Sequence, residues 1–354
     1  NPYVISHWVH LVRLSEIVNG ISEPMDSVQG APYASNVVAK DIFFSTYKNN
    51  SNKVYQCYFV VTDNITIPEG VHYMPIGGAQ VNVTDANNEN VTLAYFGGNF
   101  TGRYDGQTAK INLGNSLKEA HALDYVGLFG VVKGRIINGT TYWATIDNVL
   151  VSATEINGNN YVGSLIAKAE QYVYIDNTAT PYQNTAKVTG SSHVGGVVGY
   201  VGLGTQMFGT YINKGTVMAT GQYAGGIIGR LMAGAGRQGT GTGANNYYFG
   251  EPNNDKTLSL ENQGIIDATD CNYVGGIIGG LTANEGEYSG VTTVLTVNYV
   301  RNTASVWGGN YVGGWFGEVG TNIAVHVING VVDTFEHVVA KGIFALQTQT
   351  LVIY

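Results

Sequence analysis

Cleaving a sugar bond takes two carboxyl groups held a fixed distance apart. In this chain of 354 residues Asp105, Asp124, Asp147 and Asp176 stand alone in sequence. Asp267 and Asp270 lie close together, but they read as flanking a strand, at turns where Asp commonly bonds its own backbone. FTGRYDG (100–106) sets Arg103 beside Asp105, the pattern of a local ion pair or an Asx turn. None of the seven histidines falls into HExxH or another metal-ligand spacing. His193 replaces a recurrent Tyr, and His7 and His10 sit on an expected helix. There is no calcium-loop pattern and no GxSxG elbow. GAGRQGTGTG (234–243) has the glycines of a phosphate loop without its Lys-Ser/Thr ending, and reads as a surface loop. These residues predict no catalytic group, no metal ligand and no cofactor site, so the chain reads as a protein without enzymatic activity.

Two cysteines are too few for a disulfide framework. Cys57 and Cys271 would be roughly 35–50 Å apart if ~20–30 residues advanced a stack by ~4.8 Å, well beyond the ~7 Å that a disulfide spans. They are candidates for a bond between neighbouring subunits, with two buried free thiols as the alternative. Six Asn-x-Ser/Thr sequons, at Asn49, Asn64, Asn82, Asn90, Asn99 and Asn138, are candidate N-glycosylation sites. Charged residues make up only 12 % of the chain, and the net charge of -8 leaves 17 scattered Lys and Arg. That balance argues against a nucleic-acid partner. A surface so poor in charge points to packing against copies of the same chain. No apolar run is long enough for a membrane-spanning helix. The start at Asn1, without Met or leader, is the expectation for a processed, secreted chain.

The elements that must position these residues come from a repeat. DYVGLFG (124–130), NYVGSLI (160–166), SHVGGVVG (192–199), QYAGGIIG (222–229), NYVGGIIG (272–279) and NYVGGWFG (310–317) share one pattern, spaced by 36, 32, 30, 50 and 38 residues. Ahead of several copies lies an aliphatic or aromatic residue, an Asn-containing polar turn and a β-branched strand, as in YINKGTVMATGQY (211–223). Units this small bury a face only by stacking. The expected fold is therefore all-β, a parallel β-solenoid or β-helix of stacked β-arches, covering 37–354. Residues 1–36 would form an N-terminal cap, with a short helix in HWVHLVRLSEIVNG (7–20) ending near Gly20. The turn glycines are Gly127, Gly163, Gly195, Gly196, Gly225, Gly226, Gly275, Gly276, Gly313 and Gly314, placed for positive φ and for close approach of neighbouring repeats. Irregular spacing predicts insertions on one face, the longest at 232–252. Aromatics at the repeat position predict ladders. The ending VVAKGIFALQTQTLVIY (338–354) is a strong strand former that reads as an edge made to be paired.

The series IVNG (17–20), VVTDNITI (60–67), MPIGG (74–78), FTGRYDG (100–106) and DYVGLFG (124–130) resembles the GLUG-motif proteins of microbial surfaces over roughly residues 8–320. Ser164, in place of the second glycine, departs from that pattern. The resemblance implies a secreted β-solenoid on a cell surface. Low charge, abundant Tyr, Asn and Gly and two lone cysteines are also similar to the structural sheath proteins of filamentous methanogenic archaea. That narrower likeness implies a homopolymer, an extracellular sheath or filament built by β-sheet stacking, with other envelope components or glycans as further partners. The alternatives are a monomeric adhesin or glycan-binding solenoid and, third, a polysaccharide-active enzyme.

Overall fold

The structure, a computed structural model, describes residues 2–19, 57–78, 98–240, 246–251, 256–282, 291–320 and 323–330, together with the backbone of short strands at 44–46, 54–56, 82–84, 90–92, 338–340 and 352–353. Gly20, the sequon Asn49, the side chains of Asn82 and Asn90, and most of 338–354 fall outside the described residues.

The described chain is mostly β, with one helix, and its large sheets are parallel. Successive repeats each add a strand to the same sheets. The six-stranded sheet runs Phe129–Lys133, Ile166–Gln171, Val198–Leu203, Ile228–Met232, Ile278–Thr282, Phe316–Val319, in chain order. Its register aligns Phe129, Ile166, Val198, Ile228, Ile278 and Phe316, all buried. A nine-stranded sheet carries the aromatic half of the last five motifs and aligns Val162, Val194, Ala224, Val274 and Val312. A twelve-stranded sheet carries the strands ahead of the motif and aligns Tyr182, Tyr211, Leu260 and Val300. Side chains of all three sheets share one apolar core. Like stacks on like because each inward position repeats at the strand spacing of about 4.8 Å.

The motif glycines do not carry the positive φ that their number suggests. The aromatic before them does: Tyr125, Tyr161, His193, Tyr223, Tyr273 and Tyr311 all have φ between 53° and 64°. The glycines answer to space. A Cβ on Gly226 would lie 2.2 Å from the carbonyl oxygen of Gly276 and 2.5 Å from the Asn262 side chain. On Gly229 it would lie 2.5 Å from the Gly199 oxygen and 2.7 Å from the His193 backbone. Backbone therefore meets backbone both between repeats and across the arch, at a distance only hydrogen permits.

The helix Trp8–Val18 opens on His7, whose ring accepts the Val9 N–H at 3.4 Å, and closes at Asn19. It buries Leu11, Leu14, Ser15 and Val18, whereas Val9 is exposed. Ser15 Oγ donates to the Met74 carbonyl at 2.6 Å, and Asn19 Nδ2 to that of Pro75 at 2.8 Å. Before the helix, Tyr3–Ile5 forms the end strand of the twelve-stranded sheet, paired with Tyr58–Val61. Two insertions, after Lys133 and after Met232, connect a strand of the six-stranded sheet to a strand of the twelve-stranded sheet, while shorter ones lie inside strands, between Asn177 and Tyr182 and between Ala268 and Asn272. The stretch expected to be a glycine-rich loop holds a hairpin, Arg237–Gln238 with Asn246–Phe249, which pairs onto Thr292–Asn302.

Gly226→Ala is expected to cost about 2–3 kcal/mol through forced backbone displacement. Gly139→Ala meets open space and costs only about 1 kcal/mol for its φ of 76°. Chemical denaturation of both variants checks this; equal losses would contradict the close-approach account.

Candidate functional site

Three columns of side chains run across the repeats. The first is aromatic. Left-handed φ is uncommon for bulky residues and costs of order 1 kcal/mol or more each. Here it turns six rings into one stack: Tyr125 to Tyr161 at 5.1 Å, then His193 at 4.5 Å, Tyr223 at 5.3 Å, Tyr273 at 5.0 Å and Tyr311 at 5.0 Å. Each contact contributes about 0.5–1.5 kcal/mol beyond burial. Arg230 lies 4.5 Å above the Tyr223 ring, and Lys168 is 5.4 Å from Tyr161. His193 fits as a neutral ring: burial first, then Arg230 and Lys168, push its pKa down to about 3. Neither of its ring nitrogens has a hydrogen-bond partner among the described residues. Because the rings cover one another's faces, the interior of the stack offers no flat platform to a sugar.

The second column is amide. Asn184 Nδ2 donates to Asn213 Oδ1, Asn213 to Asn262 and Asn262 to Asn302, each at 2.8 Å. All four side chains are buried. Each amide also closes its own turn, as Asn213 does on the Gly215 carbonyl at 2.8 Å and Asn262 on that of Gly264 at 2.8 Å. Buried amides satisfied on both sides lock register, since a slip by one residue would strand them. These residues had been read from sequence only as polar turns. The signal was their recurrence two residues after an inward Tyr, Leu or Val: Tyr182, Tyr211, Leu260, Val300. Ser164, the departure from the motif, ends this region sensibly: its Oγ donates to the Gly196 carbonyl at 2.6 Å and lies 2.8 Å from Tyr182 Oη.

The third column is charged and overturns an expectation. Asp105, Asp147 and Asp176, which looked isolated at 42 and 29 residues apart, are register partners on adjacent parallel strands. Asp105 accepts from Tyr58 Oη at 3.2 Å and from the Gln107 N–H at 2.9 Å, so the Asx turn forms. Arg103 instead lies 5.3 Å from the Tyr58 ring. Asp176 accepts from the Thr178 N–H at 2.9 Å and ion-pairs with Lys256, whose ammonium also reaches Tyr174 Oη at 3.2 Å. Between them, Asp147 has a buried Oδ1 with no hydrogen-bond partner among the described residues. Burial, then the charges of Asp176 and Asp105, raise its pKa to about 7. A carboxylic acid flanked by two other carboxyl groups can move a proton, and that is the chemistry this face offers.

The remaining candidates take structural places. Asp124 accepts from the Asn160 N–H and from Asn159 Nδ2, both at 3.0 Å. Asp267 and Asp270 lie within one strand, Ile266–Gly275, rather than at turns beside it. His10 Nδ1 accepts the Ser6 N–H at 3.3 Å, and no group of three metal-ligating side chains occurs among the described residues. Cys57 and Cys271 form no disulfide with each other. Cys271 is fully buried, its Sγ donating to the Asn272 carbonyl at 3.2 Å. Burial pushes its thiol up to about 12 and that of Cys57 up to about 11. A bond from Cys271 to another subunit would require it to leave the core.

Compared with protein-family models, curated proteins and solved structures, the chain matches none.

The carboxylate column predicts a pH dependence of fixed sign. The Asp147 value is raised from 3.8 to about 7, so the folded chain holds that proton more tightly than the unfolded chain. This contribution is complete below pH 3.8 and is lost as pH rises through about 7. Thermal midpoints should fall over that window in the native chain and stay flatter in Asp147→Asn. Parallel curves for the two proteins would remove Asp147 as the source.

Proposed function

We propose that the chain is a parallel β-solenoid that serves as a structural element of an extracellular coat, sheath or filament and assembles with copies of itself. The observation that carries this reading is the use of the repeat positions. The aromatic stack, the amide ladder and the apolar columns join one repeat to the next, and the recurring residues are spent on stacking. A protein whose repeats exist to pair with their neighbours is suited to pair with another copy.

The ends support it. Tyr3–Ile5 stands at one end of the twelve-stranded sheet with Tyr3 and Val4 exposed; at the other the sheet branches, one branch ending in Val352–Ile353 and the other in the hairpin strand Arg237–Gln238. Tyr3–Ile5 and Val352–Ile353 pair in parallel. Joining one end to the other between copies would continue the sheet in one direction, a head-to-tail contact that grows an open polymer. Tyr311, the last ring of the described stack, is 40 % exposed. The low charge and the likeness to GLUG-motif surface proteins agree with this reading, in which the protein has no catalytic role.

Electron microscopy of the native protein tests it. Fibres, tubes or hoops are expected, and Val4→Pro, which removes an edge N–H, should abolish them while leaving the circular dichroism spectrum intact. The assemblies should survive reductant, because Cys271 is buried; their loss on reduction would place a cysteine at the joint. Discrete monomeric rods under all conditions would defeat the proposal.

A second reading, a solenoid that acts on glycans, is favoured by the Asp105–Asp147–Asp176 column with Tyr58 and Tyr174 beside it. Incubation with acidic and neutral polysaccharides should release no reducing ends. Release that disappears in Asp147→Asn would establish this second reading in place of the first.

A further inference from the structure

Among the described sequons, Asn138 stands apart. Arg135–Ile137 and Thr140–Tyr142 pair antiparallel and only with each other. Asn138 and Gly139 close the hairpin with φ of 49° and 76°, the two left-handed residues that an Asn-Gly turn provides. Asn138, Gly139 and Thr140 are all exposed, and a Cβ at Gly139 would meet nothing within 4 Å. The two other described sequons are more constrained. Asn64 Oδ1 accepts the Lys110 N–H at 2.8 Å, which ties it to a neighbouring strand. Asn99 is half-buried, next to the fully buried Phe100 and to Gly98, which has no room for a side chain.

The hairpin also occupies a telling place. It connects Phe129–Lys133 of the six-stranded sheet to Ala144–Asp147 of the twelve-stranded sheet, the same kind of connection that carries the longest insertion, after Met232. None of the three columns passes through it. Ile136, two residues from Asn138, is 55 % exposed, and a group attached at the tip would shield it.

We propose that Asn138 carries an N-linked glycan, which marks this hairpin as the outward side of the assembly. The modification joins the Asn138 side-chain nitrogen to the anomeric carbon of an oligosaccharide carried on a polyprenyl phosphate. The new N–C bond replaces the C–O bond to phosphate, the polyprenyl phosphate departs with that electron pair, and the amide proton passes to a base. The proposal rests on the extracellular reading above, since sequons are modified on secreted chains. A glycan at this hairpin leaves the sheet ends free for another copy while opposing side-by-side contact there.

Glycopeptide mass spectrometry of the full-length native protein tests it. A sugar mass is expected on the peptide containing Asn138, with complete loss in Asn138→Gln. Thr140→Ala, which keeps the Asn-Gly turn but breaks the sequon, should lose it equally. An unmodified Asn138 in the native protein overturns the proposal. Microscopy of the same preparation separates the two readings: fibres with bare Asn138 defeat the glycan alone, whereas monomers bearing it defeat assembly alone.

Discussion

Everything in this fold depends on how closely one repeat's backbone approaches the next at the arch. The Gly196, Gly226 and Gly276 positions each face the carbonyl oxygen of the following repeat's glycine, where a Cβ would lie 2.1–2.2 Å away. The same three face a ladder asparagine, Asn213, Asn262 or Asn302, where the distance would be 2.5–2.6 Å. A glycine and an amide thus fill one space together. Close approach puts each amide within hydrogen-bonding reach of its neighbour, and the bonded amides hold the register that keeps the glycines facing one another. Glycine lowers the intrinsic stability of a strand, so its abundance makes sense only through this contact.

The aromatic stack follows from the same approach. An arch this tight fixes the direction of the residue just before it, and in every copy that residue lies in the left-handed region. Six strained residues would be a liability in an ordinary domain. Here the strain points six rings along one line at roughly the strand spacing, and the stacking offsets it. His193 is accommodated in the middle because a neutral imidazole is flat and small enough for the column. Its depressed pKa, set first by burial and then by Arg230 and Lys168, keeps the ring neutral in the column.

Much of this was legible in the sequence. The recurrence of Tyr-Val-Gly-Gly announces parallel stacking, because a repeated unit with one apolar face can bury it only against itself. The short helix and the aromatic ladder could be read the same way. What escaped was whatever depends on register. The carboxylates of Asp105, Asp147 and Asp176 are far apart along the chain and adjacent in space, and no local pattern counts the residues between strands when insertions vary. The amide ladder hid behind a residue type that turns use freely. The positive φ was placed on the glycines, where conformational freedom is usual, while steric room turned out to be their role.

The charged column contrasts with the other two. Amides and rings stack favourably on their own kind; carboxylates do not, and like charges directly across strands destabilise a sheet. A chain with only 12 % charged residues nevertheless aligns three acids and draws Lys256 to them from 80 residues beyond Asp176. The arrangement is tolerable because one carboxyl need not ionise. With its value raised to about 7, Asp147 keeps its proton on the acid side of neutrality, and the column then carries one negative charge fewer. The other columns hold at any ordinary pH, since amides and tyrosines stay neutral there. This one is conditional on its proton.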